Sequence, residues 1–240
     1  MISVCMATYN GEDYIKKQLD SILNQLDDSD EIIISDDGST DRTLELITAF
    51  ADKRVKIYHG GYHDYTRNFE NAMMHAQGDY IFLSDQDDEW FPNKVKRIMD
   101  CFSFTNADLI MTDAVVVDKK GKILLNSYIR EKNISISFVQ NWAMTRYIGA
   151  CMAFKRKILK RILPIPGSSK YIAHDYWIAC VCSLFYKTEL LTEPLMYYVR
   201  HGDNASPGLF GKSKLSLIQR IYKRIYVMQF LIAELFRHWK

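Results

Sequence analysis

Along the first hundred positions of the chain, short hydrophobic runs alternate with segments in which hydrophobic residues recur at helical spacing. Short runs rich in hydrophobic residues predict four buried strands, at residues 2–7, 31–35, 54–59 and 80–83. Between these runs hydrophobic residues recur every three or four positions, which predicts helices over residues 14–26, 44–50 and 69–76. Strands and helices that alternate in this way are typical of a parallel sheet covered by helices. We therefore predict an α/β fold.

Polar motifs follow three of the predicted strands, at residues 8–10, 36–39 and 85–88. In open parallel sheets, ligands bind beyond the carboxyl ends of the strands. Ordinary turns give no reason to gather so many acidic residues at one edge of a sheet, so the pattern favours a nucleotide site. The chain has neither a G-x-G-x-x-G nor a G-x-x-x-x-G-K-[ST] motif, which excludes a dinucleotide fingerprint and a P-loop.

The third motif is unusually acidic, with four carboxylates in the five positions from Asp85 to Glu89. Carboxylates this close repel one another, so a positive charge between them is needed to balance them. Mg²⁺ and Mn²⁺ prefer oxygen ligands and commonly bind through one or two carboxylates together with substrate phosphates. The motif thus predicts a metal and diphosphate site. The alternative is a solvated acidic turn before a helix that has Pro92 in its first turn.

Composition narrows the class of protein further. The 240 residues are 48% hydrophobic, 13% aromatic and 25% charged, as expected for a globular protein with a well-filled core. The formal net charge of +2 does not indicate a nucleic-acid binder. The five cysteines have no zinc-site spacing, so we expect buried free thiols. Neither a signal peptide nor a hydrophobic run near ~20 residues is present, so we expect a cytoplasmic protein.

Four motifs, in their order and spacing, resemble the family 2 glycosyltransferases. They are SVCMATYNG at residues 3–11, ISDDGSTD at 34–41, GDYIFLSDQDD at 78–88 and HDYW at 174–177. The resemblance covers about residues 1–205. It implies a GT-A fold: a Rossmann-like, mostly parallel mixed sheet covered by helices, which binds nucleotide diphospho-sugars. We expect a nucleotide-binding half over residues 1–100, an acceptor half over 101–205 and a helical tail over 206–240.

Within the family, the chain looks most like bacterial polysaccharide rhamnosyltransferases. The similarity lies in the SDQDDEW segment at residues 84–90, in HDYW, and in a Tyr-x-x-His at 198–201 followed by Asn204. That subgroup usually has Arg directly after the Tyr, whereas this chain has Val199 there and Arg200 one place later. The resemblance implies an inverting, metal-dependent enzyme of capsule or cell-wall synthesis.

The resemblance also implies roles for individual residues. The base and ribose pocket would be lined by Thr8, Tyr9, Asn10 and Glu12, and Asp37 would accept a hydrogen bond from the N3–H of uracil or thymine. Asp85 would face the ribose or the metal, and Asp87 would bind Mg²⁺ or Mn²⁺. Asp175 would be the general base, although it could also simply cap a helix.

Two further residues are weaker candidates. Arg67 is a candidate for nucleotide binding, but it could equally serve the start of a helix. His201 could be a third metal ligand or contact the diphosphate, although a lone histidine in a loop is more often only a surface residue.

The resemblance leaves the donor sugar and the acceptor open. The donor could be dTDP-L-rhamnose, and a UDP-hexose or UDP-N-acetylhexosamine is the alternative. A surface polysaccharide or a lipid-linked glycan would be the acceptor. Two other classes are a non-catalytic GT-A-like binding subunit and a metal-dependent nucleotidyltransferase.

The last 29 residues combine a hydrophobic stripe with positive charge. The stripe has helical spacing and consists of Ile218, Ile221, Ile225, Met228, Ile232, Leu235 and Trp239. Seven basic residues and the single acid Glu234 give the segment 212–240 a formal charge of +6. A basic amphipathic helix of this kind suits an anionic membrane surface, where each basic residue contributes about 1 kcal/mol. The alternative is a helix that packs on the catalytic domain or in a dimer.

Overall fold

The computed structural model describes residues 1–144, 146–167, 172–201 and 216–237. Its strands are β1 (Ile2–Thr8), β2 (Glu31–Asp36), β3 (Val55–His59), β4 (Tyr80–Asp85), β5 (Glu89–Trp90), β6 (Leu109–Asp118), β7 (Ile123–Leu125), β8 (Met152–Lys155) and β9 (Thr188–Arg200). Its helices are α1 (Ile15–Leu23), α2 (Thr43–Thr48), α3 (Tyr65–His75), α4 (Lys94–Thr105), α5 (Tyr128–Lys132), α6 (Phe138–Met144), α7 (Leu159–Ile162), α8 (His174–Phe185) and α9 (Leu217–Arg237). Single 3₁₀ turns cover Gly149–Cys151 and Arg156–Ile158.

The strands form one mixed sheet in the order β3-β2-β1-β4-β8-β6-β9-β5, and β7 pairs with β6. The first four strands in this order are parallel, as predicted, and β8 is antiparallel to both of its neighbours. The chain runs outward from β1 to β3 and then returns to the other side of β1 as β4. A ligand of an open α/β sheet binds at such a reversal of strand order.

The four predicted amino-terminal strands and the three helices between them are confirmed. Helix α3 begins four residues earlier than predicted because the Asp64 carboxylate accepts hydrogen bonds from the amides of Thr66 (2.9 Å) and Arg67 (3.2 Å). Such a cap satisfies amides that have no partner inside the helix. Strands β1 and β2 are buried along almost their whole length, as expected for the centre of a parallel sheet.

Helix α9 packs on the body of the protein. Val227 and Leu231 are fully buried there, while neighbouring positions of the same helix are exposed. Among the residues that the structure describes, no helix is both long enough and hydrophobic enough to cross a membrane. Asn204 and Trp239 lie outside the described residues, and so do three of the seven basic residues of the tail, namely Lys212, Lys214 and Lys240.

Candidate active site

The carboxyl ends of β1, β2 and β4 lie side by side. Thr8 pairs with Asp36 across β1 and β2, and Ala7 pairs with Asp85 across β1 and β4. The Thr8 hydroxyl donates a hydrogen bond to the buried Asp36 carboxylate (2.9 Å). The three polar motifs therefore meet at one edge of the sheet, as the sequence predicts.

The loop after β1 is held by its own polar side chains. The Asn10 side-chain oxygen accepts a hydrogen bond from the Thr40 amide (2.8 Å), and a Glu12 carboxylate oxygen accepts one from the Arg42 amide (3.0 Å). Asn10 adopts a left-handed conformation with φ of 47°, which asparagine tolerates better than most residues. These contacts join the loop after β1 to the loop after β2.

Tyr9 links the first loop to the acidic motif. Its amide donates to the Gln86 side-chain oxygen and its carbonyl accepts from the Gln86 side-chain nitrogen, both at 2.9 Å. Tyr9 is 51% exposed. An exposed aromatic ring at this edge is available for stacking on a planar ligand.

Asp37 lies at the end of β2 and holds the segment before α3. Its carboxylate accepts hydrogen bonds from the amides of Tyr62 (2.5 Å), His63 (3.0 Å) and Asp64 (2.9 Å). A carboxylate offers about four acceptor positions, so three amides leave about one for a ligand. The residue lies at the predicted end of the sheet, with most of its hydrogen-bonding capacity used by the protein.

Arg67 contacts a different part of the molecule. Its guanidinium binds the Glu70 carboxylate and the carbonyl groups of Ile165 (2.8 Å) and Gly167. Its neighbour Asn68 donates from its side chain to the Thr8 carbonyl at 3.1 Å. In this arrangement Arg67 fixes residues 165–167.

Asp85, Asp87 and Asp88 form the acidic cluster, in which one oxygen from each residue lies within 4.8 Å of the others. An Asp88 oxygen accepts a hydrogen bond from the Val199 amide (3.1 Å). Its other oxygen is buried and has no hydrogen-bond partner in the described part of the chain. Burial raises the pKa of the Asp85 carboxyl to about 8, and the charges of Asp87 and Asp175 add to this rise. Burial likewise raises the pKa of Asp88 well above its usual range.

This donor set fits a small divalent cation. All three residues offer carboxylate oxygens, which Mg²⁺ and Mn²⁺ prefer. A cation would also contact the Asp88 oxygen that has no partner in the described residues, and it would offset the carboxylate repulsion that adds to the effect of burial on the pKa of Asp85. His201, the residue directly after β9, contacts Asp87 of the cluster. Its ring is stacked on Tyr14 at a centroid distance of 4.8 Å.

Lys94 is a buried cation behind the cluster, and it was not among the residues predicted for the site. It is 1% exposed, and its ammonium donates to the Ala150 carbonyl (3.0 Å) and lies 4.3 Å from the Trp90 ring centroid. Burial lowers the pKa of the Lys94 ammonium to about 8, although Cys151, Asp88 and Asp85 act in the opposite direction. The sequence contained a signal for it, because position 94 shares a helical face with Ile98 and Phe102.

Asp175 lies in the first turn of α8, near the predicted helix start, but the cap position is taken by Ala173. One of its oxygens accepts a hydrogen bond from the Tyr176 amide (2.6 Å), and within the described residues its carboxylate has no other hydrogen-bond partner. Besides burial, the negative charge of Asp175 contributes to the raised pKa of Asp85, so the two carboxylates lie near each other. An added Cβ at Gly149 would strike the buried imidazole of His174, so the glycine permits the close packing that begins α8.

Trp90 and Trp142 pack against other parts of the protein. Trp90 is buried against Phe82 and Lys94. The Trp142 ring nitrogen donates to the Arg224 carbonyl of α9 at 3.1 Å. Trp142 thereby helps to hold α9 on the body of the protein.

Helix α9 has a docked face and an exposed face. Besides Val227 and Leu231, the docked face includes Phe230, which packs partly buried against the core. The exposed face carries much of the predicted hydrophobic stripe, namely Ile218, Ile221, Ile225, Ile232 and Leu235. The predicted packing on the catalytic domain is thus found for one side of the helix, and the membrane role of the exposed side stays a prediction.

The chain is similar to several known proteins. The model of the family described as Glycosyl transferase family 2 matches residues 3–163. The dTDP-rhamnosyl transferase RfbG of Shigella flexneri is 36% identical over 126 residues, which are 49% of this chain and 43% of RfbG. The Escherichia coli UDP-Glc:alpha-D-GlcNAc-diphosphoundecaprenol beta-1,3-glucosyltransferase WfgD is 28% identical over 124 residues, 48% of this chain and 49% of WfgD.

The fold has solved counterparts. Residues 1–349 of Staphylococcus aureus TarS, in complex with UDP-GlcNAc, superpose with a TM-score of 0.73 at 18% identity. That superposition covers 97% of this chain and 66% of the TarS chain. The mixed sheet with its helices is the predicted GT-A fold. The chain spans about half the length of RfbG and WfgD.

Proposed function

The chain belongs to glycosyl transferase family 2, and on that basis we propose that it moves a sugar, with inversion, from a nucleotide diphosphate donor to a cell-surface glycan acceptor. The observation that carries this proposal is the acidic cluster at the carboxyl ends of the parallel strands, with Asp175 near enough for its charge to add to the raised pKa of Asp85. One group of carboxylates suits a cation and a diphosphate, and a separate carboxylate suits the acceptor hydroxyl.

Asp85, Asp87 and Asp88 would hold the Mg²⁺ or Mn²⁺ ion, with His201 as a neighbour or further ligand. A bound cation would stabilise the negative charge that develops on the diphosphate when the sugar leaves. Asp85, at the very end of β4, could also meet the ribose. Arg200, the last residue of β9, is a candidate clamp for the diphosphate, because a guanidinium pairs well with phosphate oxygens.

The joined loops after β1 and β2 would hold the nucleotide base. The exposed ring of Tyr9 would stack on the base, and Asn10 and Glu12 would keep the loops in place through their bonds to backbone amides. Thr8 would act indirectly, through the hydrogen bond that its hydroxyl donates to the Asp36 carboxylate. The remaining acceptor position of Asp37 would receive the N3–H of a pyrimidine. Arg67 would act indirectly, by fixing residues 165–167.

Asp175 would be the general base. Its carboxylate would take the proton of the acceptor hydroxyl while that oxygen attacks the anomeric carbon from the face opposite the diphosphate. The bond between the sugar and the diphosphate breaks in the same displacement, so the anomeric configuration inverts. Base catalysis of this kind contributes roughly 10²–10⁴-fold in rate.

For the donor we favour dTDP-L-rhamnose. The supporting observations are the SDQDDEW segment and the similarity to RfbG. A UDP-hexose or UDP-N-acetylhexosamine is the second candidate, favoured by the likeness of the fold to the TarS complex.

We place the acceptor on a lipid carrier and the protein at the inner face of the membrane. WfgD is named for a lipid-diphosphate acceptor, and the exposed face of α9 carries hydrophobic residues together with exposed Arg220. Hydrophobic area and positive charge on one helix are what an anionic bilayer surface attracts.

Thermal shifts test the nucleotide assignment. The unfolding temperature would be measured with dTDP, UDP and GDP, each with and without Mn²⁺, for the unaltered protein and for Asp87→Asn. A ligand at 100 times its Kd adds about 2.7 kcal/mol to the free energy of unfolding. For this chain length the unfolding temperature then rises by several degrees. We expect the largest shift with dTDP and Mn²⁺, and a loss of the Mn²⁺ dependence in Asp87→Asn.

The other outcomes discriminate between the candidates. A larger shift with UDP would keep the transferase and replace rhamnose. No shift with any nucleotide would indicate a non-catalytic relative. Release of pyrophosphate from a nucleoside triphosphate would indicate a nucleotidyltransferase.

Vesicle sedimentation tests the membrane proposal. Deleting the helix would also remove the buried Val227 and Leu231, so substitution of exposed residues is the cleaner experiment. We expect Ile225→Ser with Ile232→Ser to lower sedimentation with vesicles containing phosphatidylglycerol. Equal sedimentation of the variant and the unaltered protein would rule out a membrane role for this face.

A further inference from the structure

Lys223 is a half-buried cation on α9 that has no anionic partner among the described residues. Its ammonium lies 4.9 Å from the ring centroid of Tyr176, the residue that follows Asp175. Within the described ranges of the chain, no carboxylate lies within ion-pair distance of this ammonium and it makes no hydrogen bond. By contrast, the guanidinium of the adjacent Arg224 binds the Ala143 and Arg220 carbonyls.

Several contacts hold α9 at this place. The Trp142 ring nitrogen donates to the carbonyl of Arg224, the residue next to Lys223. The Tyr176 hydroxyl in turn donates to the Trp142 carbonyl at 2.8 Å. Lys223 is therefore fixed by its neighbours against the first turn of α8, where Asp175 lies.

Its position has an energetic cost. An ammonium that loses water without gaining an anion is destabilised, and burial lowers the pKa of Lys223 while the charge of Asp175 partly opposes that effect. A methionine or leucine would pack on Tyr176 without this cost. Among the described residues the ammonium gains only the face of the Tyr176 ring, and an anion brought in by a ligand would supply the missing countercharge.

We infer that Lys223 forms an anion subsite for the acceptor and binds a phosphate ester attached to the acceptor sugar while a hydroxyl of that sugar meets Asp175. This inference rests on the proposed transferase function and specifies its acceptor class: a sugar carried on phosphate or diphosphate. A phosphate on the anomeric carbon is one sugar ring away from the hydroxyls that can receive a new sugar. Lys223 lies over the ring of Tyr176, the residue next to the proposed base, so the ammonium and the Asp175 carboxylate would contact different groups of the same acceptor.

Binding of a small diphosphate tests this directly. Hexyl diphosphate would be titrated into the full chain by calorimetry in EDTA, so that the acidic cluster holds no metal. We expect Lys223→Met to weaken binding about tenfold, which corresponds to about 1.4 kcal/mol. Arg220→Gln removes one charge from an exposed position of the same helix and should leave the Kd unchanged within about twofold. Equal affinity of Lys223→Met and the unaltered protein would overturn the inference.

Three controls separate charge recognition by Lys223 from packing and from loss of the fold. Hexyl glucoside, which has no charge, should respond to neither variant, and an equal loss of its binding in Lys223→Met would show that the lysine acts only through packing. Unfolding temperatures of both variants would establish that each is folded. Lys223→Arg should retain most of the hexyl diphosphate affinity, because it keeps the charge.

A phosphate could also come from a membrane lipid. In sedimentation with phosphatidylglycerol vesicles, Lys223→Met and Arg220→Gln should lose equal, small amounts of binding. A loss of vesicle binding specific to Lys223→Met, with hexyl diphosphate binding intact, would assign Lys223 to lipid headgroups and refute the acceptor subsite.

Failure of the subsite and failure of the proposed function give different results. A metal-dependent nucleotide shift without Lys223-dependent diphosphate binding would keep the transferase and discard the subsite. Lys223-dependent binding without any nucleotide shift would support the subsite and discard the transferase.

Discussion

The ring nitrogen Nε2 of His201 lies 2.6 Å from a carboxylate oxygen of Asp87, although 114 positions separate the two residues in the chain. The contact joins the end of β9 to the acidic loop after β4. The imidazole is also stacked on Tyr14, just before α1. Three separate segments of the chain thereby fix the orientation of the Asp87 carboxylate.

His201→Gln should weaken Mn²⁺ binding about 10–100-fold, the usual cost of removing a group that orients a metal ligand. The loss of a direct ligand would have at least this effect. Titration of Mn²⁺ in the presence of a saturating nucleoside diphosphate measures the change. His59→Gln, at an exposed position at the end of β3, is the matched control and should bind Mn²⁺ normally. Unchanged Mn²⁺ affinity in His201→Gln would show that the contact with Asp87 is only structural.

The approach of His201 to Asp87 illustrates what the sequence could predict. The hydrophobic runs determined the parallel strands, and a parallel sheet necessarily brings the motifs after β1, β2 and β4 to one edge. The position of Asp85 and Asp87 beside the loops after β1 and β2 was therefore predictable. The approach of His201 depends on β9, which pairs with β6 and β5 far along the chain, and local periodicity carries no such long-range information.

Other features could not be read from local patterns. Asp37 bonds three backbone amides and Arg67 bonds two carbonyl groups, and backbone partners leave no trace in residue type. Helix α9 carries hydrophobic residues on two sides, so its spacing predicted a hydrophobic face without telling which side docks. Lys94 was missed because a lysine is rarely assigned to a core, although its helical position indicated burial.

Removal of the Lys94 charge should change how stability depends on pH. The folded-state pKa of about 8 lies below that of an unfolded lysine, about 10.4, so the unfolded chain binds more protons between these values. The unaltered protein should therefore gain stability relative to Lys94→Met as the pH rises from about 8 to about 10. Below pH 8 Lys94 is protonated in both the folded and the unfolded chain. The stability difference between the unaltered protein and Lys94→Met should therefore be constant there.

Chemical denaturation between pH 7 and 10 measures this difference. Lys96→Met removes an exposed lysine from the same helix, paired with Asp100, and provides the control. It should show no increase of the stability difference in that range. A stability difference for Lys94→Met that does not change with pH would contradict a lowered pKa for Lys94.

Asp175→Asn should reduce sugar transfer about 10²–10⁴-fold, because the amide cannot accept the proton of the acceptor hydroxyl. The asparagine side-chain oxygen can still accept the hydrogen bond from the Tyr176 amide, so the start of α8 should be preserved. Nucleotide affinity, measured by thermal shift, should therefore stay nearly unchanged. Asp20→Asn, in an exposed pair with Lys16, should leave transfer unaffected. Transfer that survives in Asp175→Asn would show that another group is the base.

The two faces of α9 can be distinguished by truncating adjacent residues. Leu231 is fully buried, whereas Ile232 is 46% exposed. Leu231→Ala should cost about 2–4 kcal/mol of unfolding free energy, because it removes buried methyl groups and leaves a cavity beneath the helix. Ile232→Ala should stay within about 0.5 kcal/mol, as is usual for exposed positions. Urea denaturation measures both values, and the slope of the transition shows whether the extent of unfolding is unchanged. If Leu231→Ala proved as mild as Ile232→Ala, α9 would not be docked in solution, and Lys223 would lose its fixed position beside Asp175.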